Sequence, residues 1–285
     1  MSTSTNVVVF GAINIDIGVQ TKEPYRIADS NIVQSTMGVG GVGANIASNL
    51  AALGNAVSLV TAIGDGPLYD YAITTLTRRG IDVSDSLVLL GLPTNLYFNI
   101  MDEQGNLYLG LNDMMGMEAL SPEWIDTKRH LMDQAKVVVV DCNLPPATLQ
   151  AIVSNKTNQF LVADVVSIAK AKRILPILNE VDILKLNQLE YEYLVEQGFN
   201  AENKPNLKVI ITSRDRPVQL WHGMHHTTFD VPNVPDIVST SGAGDALLSG
   251  IIHGILHNQT LENAIPTGIE LAQQVLGHAA SVWKE

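Results

Sequence analysis

Residues 137–141 read Val-Val-Val-Val-Asp, a run that is too short for a helix and apolar on both faces of a strand. Such a run is typical of a parallel sheet covered by helices on both sides. Comparable short runs recur before polar or glycine-containing turns and helical patterns, at 7–12, 56–62, 160–163, 183–186 and 208–212. The alternation predicts βαβ units and an α/β fold with a doubly wound, mostly parallel sheet.

Two segments interrupt this alternation, at about residues 20–36 and at 94–111. The second contains the turn sequence Asp-Glu-Gln-Gly-Asn at 102–106, which is typical of a hairpin. We expect both segments to form a small β lid over the carboxyl edge of the main sheet, where ligands bind in such folds. No linker or repeat separates the lid from the rest, so we expect one domain over residues 1–285.

Composition and charge exclude several classes of protein. The 285 residues are 46% hydrophobic and carry a formal net charge of −12, which argues against binding to a nucleic-acid backbone. Cys142 is the one cysteine, so the chain cannot form an internal disulfide. Neither a targeting signal nor a membrane-spanning run is evident. We expect a cytoplasmic protein that acts on small molecules, with no membrane partner, and a homodimer is compatible with the sequence.

The segment 239–250 reads Ser-Thr-Ser-Gly-Ala-Gly-Asp-Ala-Leu-Leu-Ser-Gly, a small-residue loop that enters an apolar helix. Backbone N–H groups at such a helix start can bind an anion. The helix dipole should keep Asp245 ionised beside that anion, where it could accept a proton from an attacking hydroxyl. An ordinary helix start capped by Ser241 or Asp245 explains the residues equally well.

A second glycine cluster at 38–47 reads Gly-Val-Gly-Gly-Val-Gly-Ala-Asn-Ile-Ala and precedes a helix that we expect to end near Leu53. Gly38, Gly40 and Gly43 match the dinucleotide-binding pattern, but the first predicted strand ends well before them. The glycines would also let a polyol lie against the backbone, with Asn45 as a partner for its hydroxyls. Close packing of helix on sheet explains each single glycine too.

Together with Asn14-Ile15-Asp16 after the first strand, the two clusters resemble the ribokinase-like (PfkB) carbohydrate kinase family over nearly the whole chain. The resemblance implies ATP-dependent phosphorylation of a sugar or nucleoside hydroxyl, with Mg²⁺. It implies a base and anion hole formed by Asp245, Gly242, Ala243 and Gly244. It implies an acceptor site formed by Asn14, Asp16, Gly40, Gly41, Asn45 and Asp113. It implies ATP contacts from Asn187, Thr212 and Lys185, with Glu190 of an N-x-x-E motif reaching the metal through water.

Within the family, the segments 40–47, 113–123, 141–144 and 164–171 are most similar to the pseudouridine kinase branch. Lys170, in the last of these, would either meet a phosphate or be a solvated helix residue. Ser239 stands where the family has Asp, so the resemblance does not extend to a monovalent-cation site. Residues 212–217 likewise depart from the usual T-x-G. A dinucleotide-dependent oxidoreductase and a non-catalytic sugar sensor are the alternatives from other classes.

Overall fold

The computed structural model describes residues 5–214, 216–234, 240–277 and 281–283. Its strands follow the short apolar runs of the sequence. In chain order they are β1 (Val7–Phe10), β2 (Asn14–Thr21), β3 (Val33–Gly40), β4 (Val57–Val60), β5 (Ala62–Gly64), β6 (Ile81–Asp82), β7 (Leu87–Leu89), β8 (Leu96–Met101), β9 (Leu107–Asp113), β10 (Val137–Asp141), β11 (Phe160–Asp164), β12 (Ile183–Asn187), β13 (Lys208–Thr212), β14 (Val218–His222) and β15 (His225–Phe229).

The helices fill the longer intervals between these strands. They are α1 (Val42–Ala52), α2 (Tyr69–Arg78), α3 (Pro122–Asp126), α4 (Arg129–Gln134), α5 (Pro146–Asn155), α6 (Gln188–Glu196), α7 (Ala243–Leu256) and α8 (Leu261–Leu276), with 3₁₀ helices at Met115–Ala119, Ile168–Ile177 and Ala201–Asn203. No helix within the described ranges is both long and apolar enough to cross a membrane.

Among the described residues the main sheet has nine strands, in the order β15-β14-β13-β12-β11-β10-β1-β4-β6. From β13 to β6 every neighbouring pair is parallel, and β1 lies between β10 and β4. Strands β14 and β15 are added antiparallel at one edge. The predicted α/β fold with a mostly parallel sheet is therefore confirmed.

The central strands are buried on both faces, as their composition requires. All residues of β1 and β10 are buried, and their side chains point alternately into two apolar clusters. Val8 and Phe10 pack into one cluster, and Val7 and Val9 pack into the other. Each buried Val side chain stabilises the fold by about 1.5–3 kcal/mol relative to an exposed one. A polar residue at one of these positions would therefore be strongly destabilising.

A second sheet of four strands, in the order β3-β2-β8-β9, continues from the carboxyl end of β1. Strand β2 begins at Asn14, only four residues after β1 ends, and pairs antiparallel with β3 and parallel with β8. The segment that we placed at about 20–36 covers the end of β2, a loop and the start of β3. Asn14 and Asp16 follow the first strand, as expected, and lie at the start of β2.

The buried side chain of Asn95 links the start of β8 to the connection before β2, to β5 and to the 3₁₀ helix Met115–Ala119. Its Nδ2 donates to the carbonyl oxygen of Ile13 at 3.0 Å and to that of Ala62 at 3.2 Å. Its Oδ1 accepts from the N–H of Gly116 at 3.2 Å. Because Asn95 directly precedes β8, these bonds hold the start of β8 beside the connection between β1 and β2.

One predicted strand is split in the structure. The run 56–62 forms β4, which pairs with β1, and then β5, which pairs with β7 instead. The break falls at Thr61, whose carbonyl accepts the N–H of Leu87 at 2.8 Å. The apolar pattern of the run gives no sign of this change of partner, since both pieces are buried.

Candidate active site

The two glycine-rich segments meet at the carboxyl edge of the main sheet. Asn45 on α1 donates from Nδ2 to Asp245 Oδ2 on α7 at 2.8 Å, across 200 residues of sequence. Both side chains are buried, at 5% and 7% exposure. Asn45 Oδ1 is also buried and has no hydrogen-bond partner. A buried acceptor in this state is unfavourable on its own, so it is available for a hydroxyl donor on a bound molecule.

The start of α7 has the geometry of an anion-binding loop. Gly242 is the N-cap residue with φ 78°, in the left-handed region, and no side chain caps the helix. The interpretation of Ser241 or Asp245 as an ordinary cap is therefore wrong for this helix. The first N–H groups of an α-helix have no acceptor within the helix, so those at 243–245 can meet an anion.

Burial changes the acidity of Asp245. Desolvation raises the pKa of this carboxyl from 3.8 to about 7, with a further rise from the nearby charge of Asp164 and opposition from Lys185 and Asn45. The sequence argument, in which the helix dipole keeps Asp245 ionised, gave the wrong direction, because burial and the charge of Asp164 on β11 raise the pKa and both arise only in the fold. A carboxylate with a pKa near neutral pH is well suited to act as a general base.

Lys185 places a buried cation directly beside this loop. Its Nζ donates to Asp164 Oδ2 at 2.8 Å, and a Cβ added to Gly244 would lie 2.6 Å from the same Nζ. Burial opposes the charge on Lys185, but the carboxylates of Asp164, Asp245 and Glu190 outweigh it and raise its pKa. Lys185 is therefore charged, and Gly244 has no side chain where the ammonium group lies.

The residues expected to bind the acceptor lie around the start of β2. Asn14 Nδ2 donates to Asp16 Oδ1, and the Asp16 carboxyl fills the space where Gly40 would carry a side chain. Gly41 adopts φ 97°, and a Cβ there would lie 2.9 Å from Asn14 Oδ1. Burial raises the pKa of Asp16 to about 6, against the hydrogen bond from Asn14. These four residues thus form one contiguous polar surface.

Asp113 lies further out, at the end of β9. Its neighbour across the sheet is Leu96, which in turn pairs with Ile15 on β2. Asp113 is exposed, and its Oδ1 accepts the N–H of Met115 at 3.4 Å. It is therefore two strands away from the Asn14 and Asp16 pair.

The residues expected on the ATP side end two neighbouring strands. Asn187 ends β12 opposite Thr212 at the end of β13. Asn187 Oδ1 accepts the N–H of Glu190 at 3.0 Å, and Glu190 Oε2 accepts the N–H of Asn187 at 2.7 Å, so the N-x-x-E motif forms a capping box. Thr212 Oγ1 donates to the Leu186 carbonyl at 3.4 Å. Within the described residues, no cluster of three or more His, Cys, Asp or Glu side chains could hold a metal ion.

Comparison with known proteins agrees with this geometry. The model of the pfkB family carbohydrate kinases matches residues 4–282. The chain belongs to the pfkB family of carbohydrate kinases. It is 29% identical to the pseudouridine kinase of Escherichia coli over 258 residues, which are 86% of this chain and 82% of that protein. It is 28% identical to the sugar kinase YeiI of Escherichia coli, over 90% of this chain and 74% of that protein.

The structure of the ribokinase from Thermotoga maritima shares the fold, with a TM-score of 0.83 at 20% identity over 97% of this chain and 94% of that one. As a pfkB family carbohydrate kinase, the chain is a phosphotransferase that acts on a sugar or nucleoside hydroxyl. The pattern Gly38, Gly40 and Gly43 is not a dinucleotide site in this kinase, because Gly38 and Gly40 lie in β3 of the four-stranded sheet.

Two buried carboxylates of this kinase were not assigned a role from the sequence. Asp141 and Asp164 end the neighbouring strands β10 and β11 and pair in register. Asp141 Oδ2 accepts the N–H of Ala12 at 2.8 Å, which fixes the turn between β1 and β2. Burial raises the pKa of Asp141. The signal for both was present in the sequence, since each is a lone acid that closes an otherwise apolar strand.

Lys170, for which the sequence left a phosphate contact or a solvated position open, has a hydrogen-bond partner in the fold. It is partly buried in the 3₁₀ helix Ile168–Ile177, and its Nζ donates to Asn143 Oδ1. Burial lowers its pKa, with Asp141 acting in the opposite direction. The departures at Ser239 and Asp215 lie outside the described residues.

Proposed function

We propose that this kinase transfers the γ-phosphoryl group of ATP to a nucleoside hydroxyl, and that its acceptor is pseudouridine, which becomes pseudouridine 5′-phosphate. The observation that carries the phosphotransfer site is the Asn45 to Asp245 hydrogen bond with its unpartnered Asn45 Oδ1. It brings a base, an anion loop and an acceptor for a hydroxyl to one place. The choice of pseudouridine rests on the 29% identity to the Escherichia coli pseudouridine kinase and on the four similar segments.

In the proposed reaction Asp245 accepts the proton of the acceptor hydroxyl as its oxygen attacks the γ-phosphorus. The bond between that phosphorus and the β–γ bridging oxygen breaks, and ADP leaves with the bridging oxygen. The N–H groups of the loop formed by Gly242, Ala243 and Gly244 bind the transferred phosphoryl group. Lys185, whose ammonium lies against Gly244, contributes positive charge at the same point.

The acceptor would lie between the two sheets. Asn14, Asp16 and Asn45 would orient its hydroxyls, and Gly40 and Gly41 would let it approach the backbone. Asp113 would contact it only from the outer strand, which makes it the least central member of the proposed set. The four-stranded sheet would act as a lid that limits the access of water during transfer.

The ATP side is proposed at the ends of β12 and β13, with Asn187 and Thr212 as contacts. Several carboxylates are buried here with Lys185, so the phosphates need further positive charge. Magnesium, when bound to the phosphate oxygens, would supply it. The residues fit a metal that keeps its waters: Glu190 already uses Oε2 in the capping box, so it would reach the ion through water with Asn187.

An ADP-release assay over pseudouridine, uridine, adenosine, ribose and fructose phosphates tests the proposal. Pseudouridine differs from uridine by its glycosidic bond and one extra ring N–H, and a buried partner for that N–H discriminates strongly. We expect kcat/KM for pseudouridine to exceed that for uridine by tenfold or more. Equal kcat/KM values for pseudouridine and uridine, or activity with free sugars alone, would refute pseudouridine as the acceptor. The substrate would then be another acceptor of the ribokinase-like kinases. Ligand binding without any ADP release would favour a non-catalytic sensor.

A further inference from the structure

Residues 281–283 lie directly on the loop that precedes α7. A Cβ added to Gly242 would come within 2.7 Å of the carbonyl carbon of Ser281, so Gly242 provides the space for this backbone. The Ser281 hydroxyl donates to Ser241 Oγ at 3.0 Å. Val282, the next residue, is 3% exposed. The segment therefore packs against the anion loop. The backbone of Ser281 lies against Gly242, the Ser281 hydroxyl bonds Ser241, and Val282 is buried.

The same segment is bonded to α1. The backbone N–H of Trp283 donates to Asn49 Oδ1 at 2.8 Å, and Asn49 is fully buried. The Trp283 side chain packs against the apolar cluster of Ala246 on α7 with Leu271 and Val275 on α8. Asn49 lies one helical turn after Asn45, so both asparagines face the same side of α1. Residues 281–283 thus connect the two helices that carry the hydrogen-bonded pair Asn45 and Asp245.

Packing alone does not explain an asparagine at position 49. Its Nδ2 is buried and has no hydrogen-bond partner among the described residues, which is unfavourable for the folded state. An apolar residue of similar size, such as leucine, would avoid that cost. Within the part of the chain that the structure describes, the side-chain amide of Asn49 makes one hydrogen bond, which it accepts from the N–H of Trp283. We take this bond to be the reason for an asparagine at position 49.

We propose that Asn49 is a positioning residue. Through its bond to the backbone of Trp283, it holds the anion loop and Asp245 at a fixed distance from Asn45. The inference rests on the proposed phosphotransfer function of that site. Loss of the bond would free residues 281–283 to shift, and the loop that they cover would shift with them. A displacement of about 1 Å at a catalytic group can lower the rate by up to about a hundredfold. The acceptor contacts at Asn14 and Asp16 lie on β2 and would keep their geometry.

Three variants isolate this hydrogen bond. Asn49→Leu removes the acceptor, and Trp283→Pro removes the donor N–H. Trp283→Ala is the matched control for the second change, because it loses the same indole and keeps the N–H. We expect Asn49→Leu to lower kcat about tenfold while the acceptor KM stays within about threefold. Trp283→Pro should lower kcat about tenfold below Trp283→Ala.

A double-variant cycle sharpens the test. Asn49→Leu and Trp283→Pro remove the same bond, so the combined variant should lose no more activity than the worse single one. Asn55→Leu serves as the control for loss of a buried asparagine, since Asn55 bonds Leu50 at 2.8 Å and His253 at 3.1 Å, at the far end of α7. It should destabilise the protein and leave kcat within about twofold. Additive losses, or an equal loss in Asn55→Leu, would overturn the proposal.

Hydrogen exchange tests the same bond without turnover. Amides at 242–249 should exchange at least about tenfold faster in Asn49→Leu and Trp283→Pro than in the wild type and Asn55→Leu. Unchanged exchange in both variants would overturn the positioning role. If instead the wild type releases no ADP with any acceptor while the exchange rates change as expected, the proposed function fails and the structural connection stands.

Discussion

Replacing Asp245 by asparagine should damage catalysis and improve stability at the same time. Asparagine has the same shape and can still accept the hydrogen bond from Asn45, so the ground-state geometry is kept. It cannot take a proton from the acceptor, and loss of a positioned general base lowers kcat by roughly 10²–10⁴. Acceptor KM should stay within a few-fold, because the variant removes an interaction made in the transition state.

The stability gain follows from the raised pKa of Asp245. In the unfolded chain the carboxyl ionises near 3.8 and in the folded chain near 7, so ionisation favours unfolding as the pH rises between these values. Each pH unit is worth about 1.4 kcal/mol, so the cost reaches up to about 4 kcal/mol above pH 7. Asparagine has no such cost, although Lys185 loses a neighbouring charge. We therefore expect Tm to rise by several degrees at pH 8 and to differ little at pH 4.

Steady-state ADP release at pH 8 and melting curves at pH 4 and pH 8 measure both effects on one pair of proteins. Asp245→Ala is the control, since it also lacks the base but leaves Asn45 without its acceptor. It should match the asparagine variant in kcat and gain less in Tm. A folded Asp245→Asn protein with near wild-type kcat would refute the base assignment. An unchanged Tm difference between the two pH values would refute the burial argument.

Three further predictions concern the same region. kcat/KM should fall about tenfold per pH unit below pH 7, as Asp245 becomes protonated, and a flat profile between pH 5 and 7 would exclude it as the base. Gly244→Ala should lower kcat at least about tenfold, because its Cβ would meet the Lys185 ammonium, whereas Gly198→Ala, in open space, should change only stability. The segments 20–36 and 94–111 should exchange amide hydrogens more slowly when pseudouridine is added, and unchanged exchange would contradict a lid.

The features found from sequence are those that a short segment determines. The apolar runs at β10 and β13 identify the strands, because their composition already requires two covered faces. The loop before α7 and the glycines before α1 were recognisable as candidate binding segments. Small residues before a helix leave its first N–H groups accessible to a ligand. What each loop faces was not recognisable, since Asn45 and Asp245 are brought together only by the fold.

The errors share one physical cause, which is that environment is a property of the folded chain. The acidity of Asp245 depends on burial and on Asp164, which belongs to a different strand. The strand at the start of the expected segment 20–36 begins earlier, at Asn14, because Asn and Asp are uncommon in strands and gave no strand signal there. Asn49 belongs to no motif, and its bond to Trp283 is visible only in the folded chain.

The hydrogen bond between Asn45 and Asp245 has a consequence for how the protein is made. A ribosome releases residue 45 into solution long before residue 245 is added, and β1 must also wait for β10 before its second edge is covered. A nascent chain that ends before residue 245 therefore lacks the proposed base, which is the partner of Asn45. The same separation should slow folding, because contacts between distant residues form late. Activity in this kinase therefore requires that synthesis has passed residue 245 and that the two distant segments have folded together.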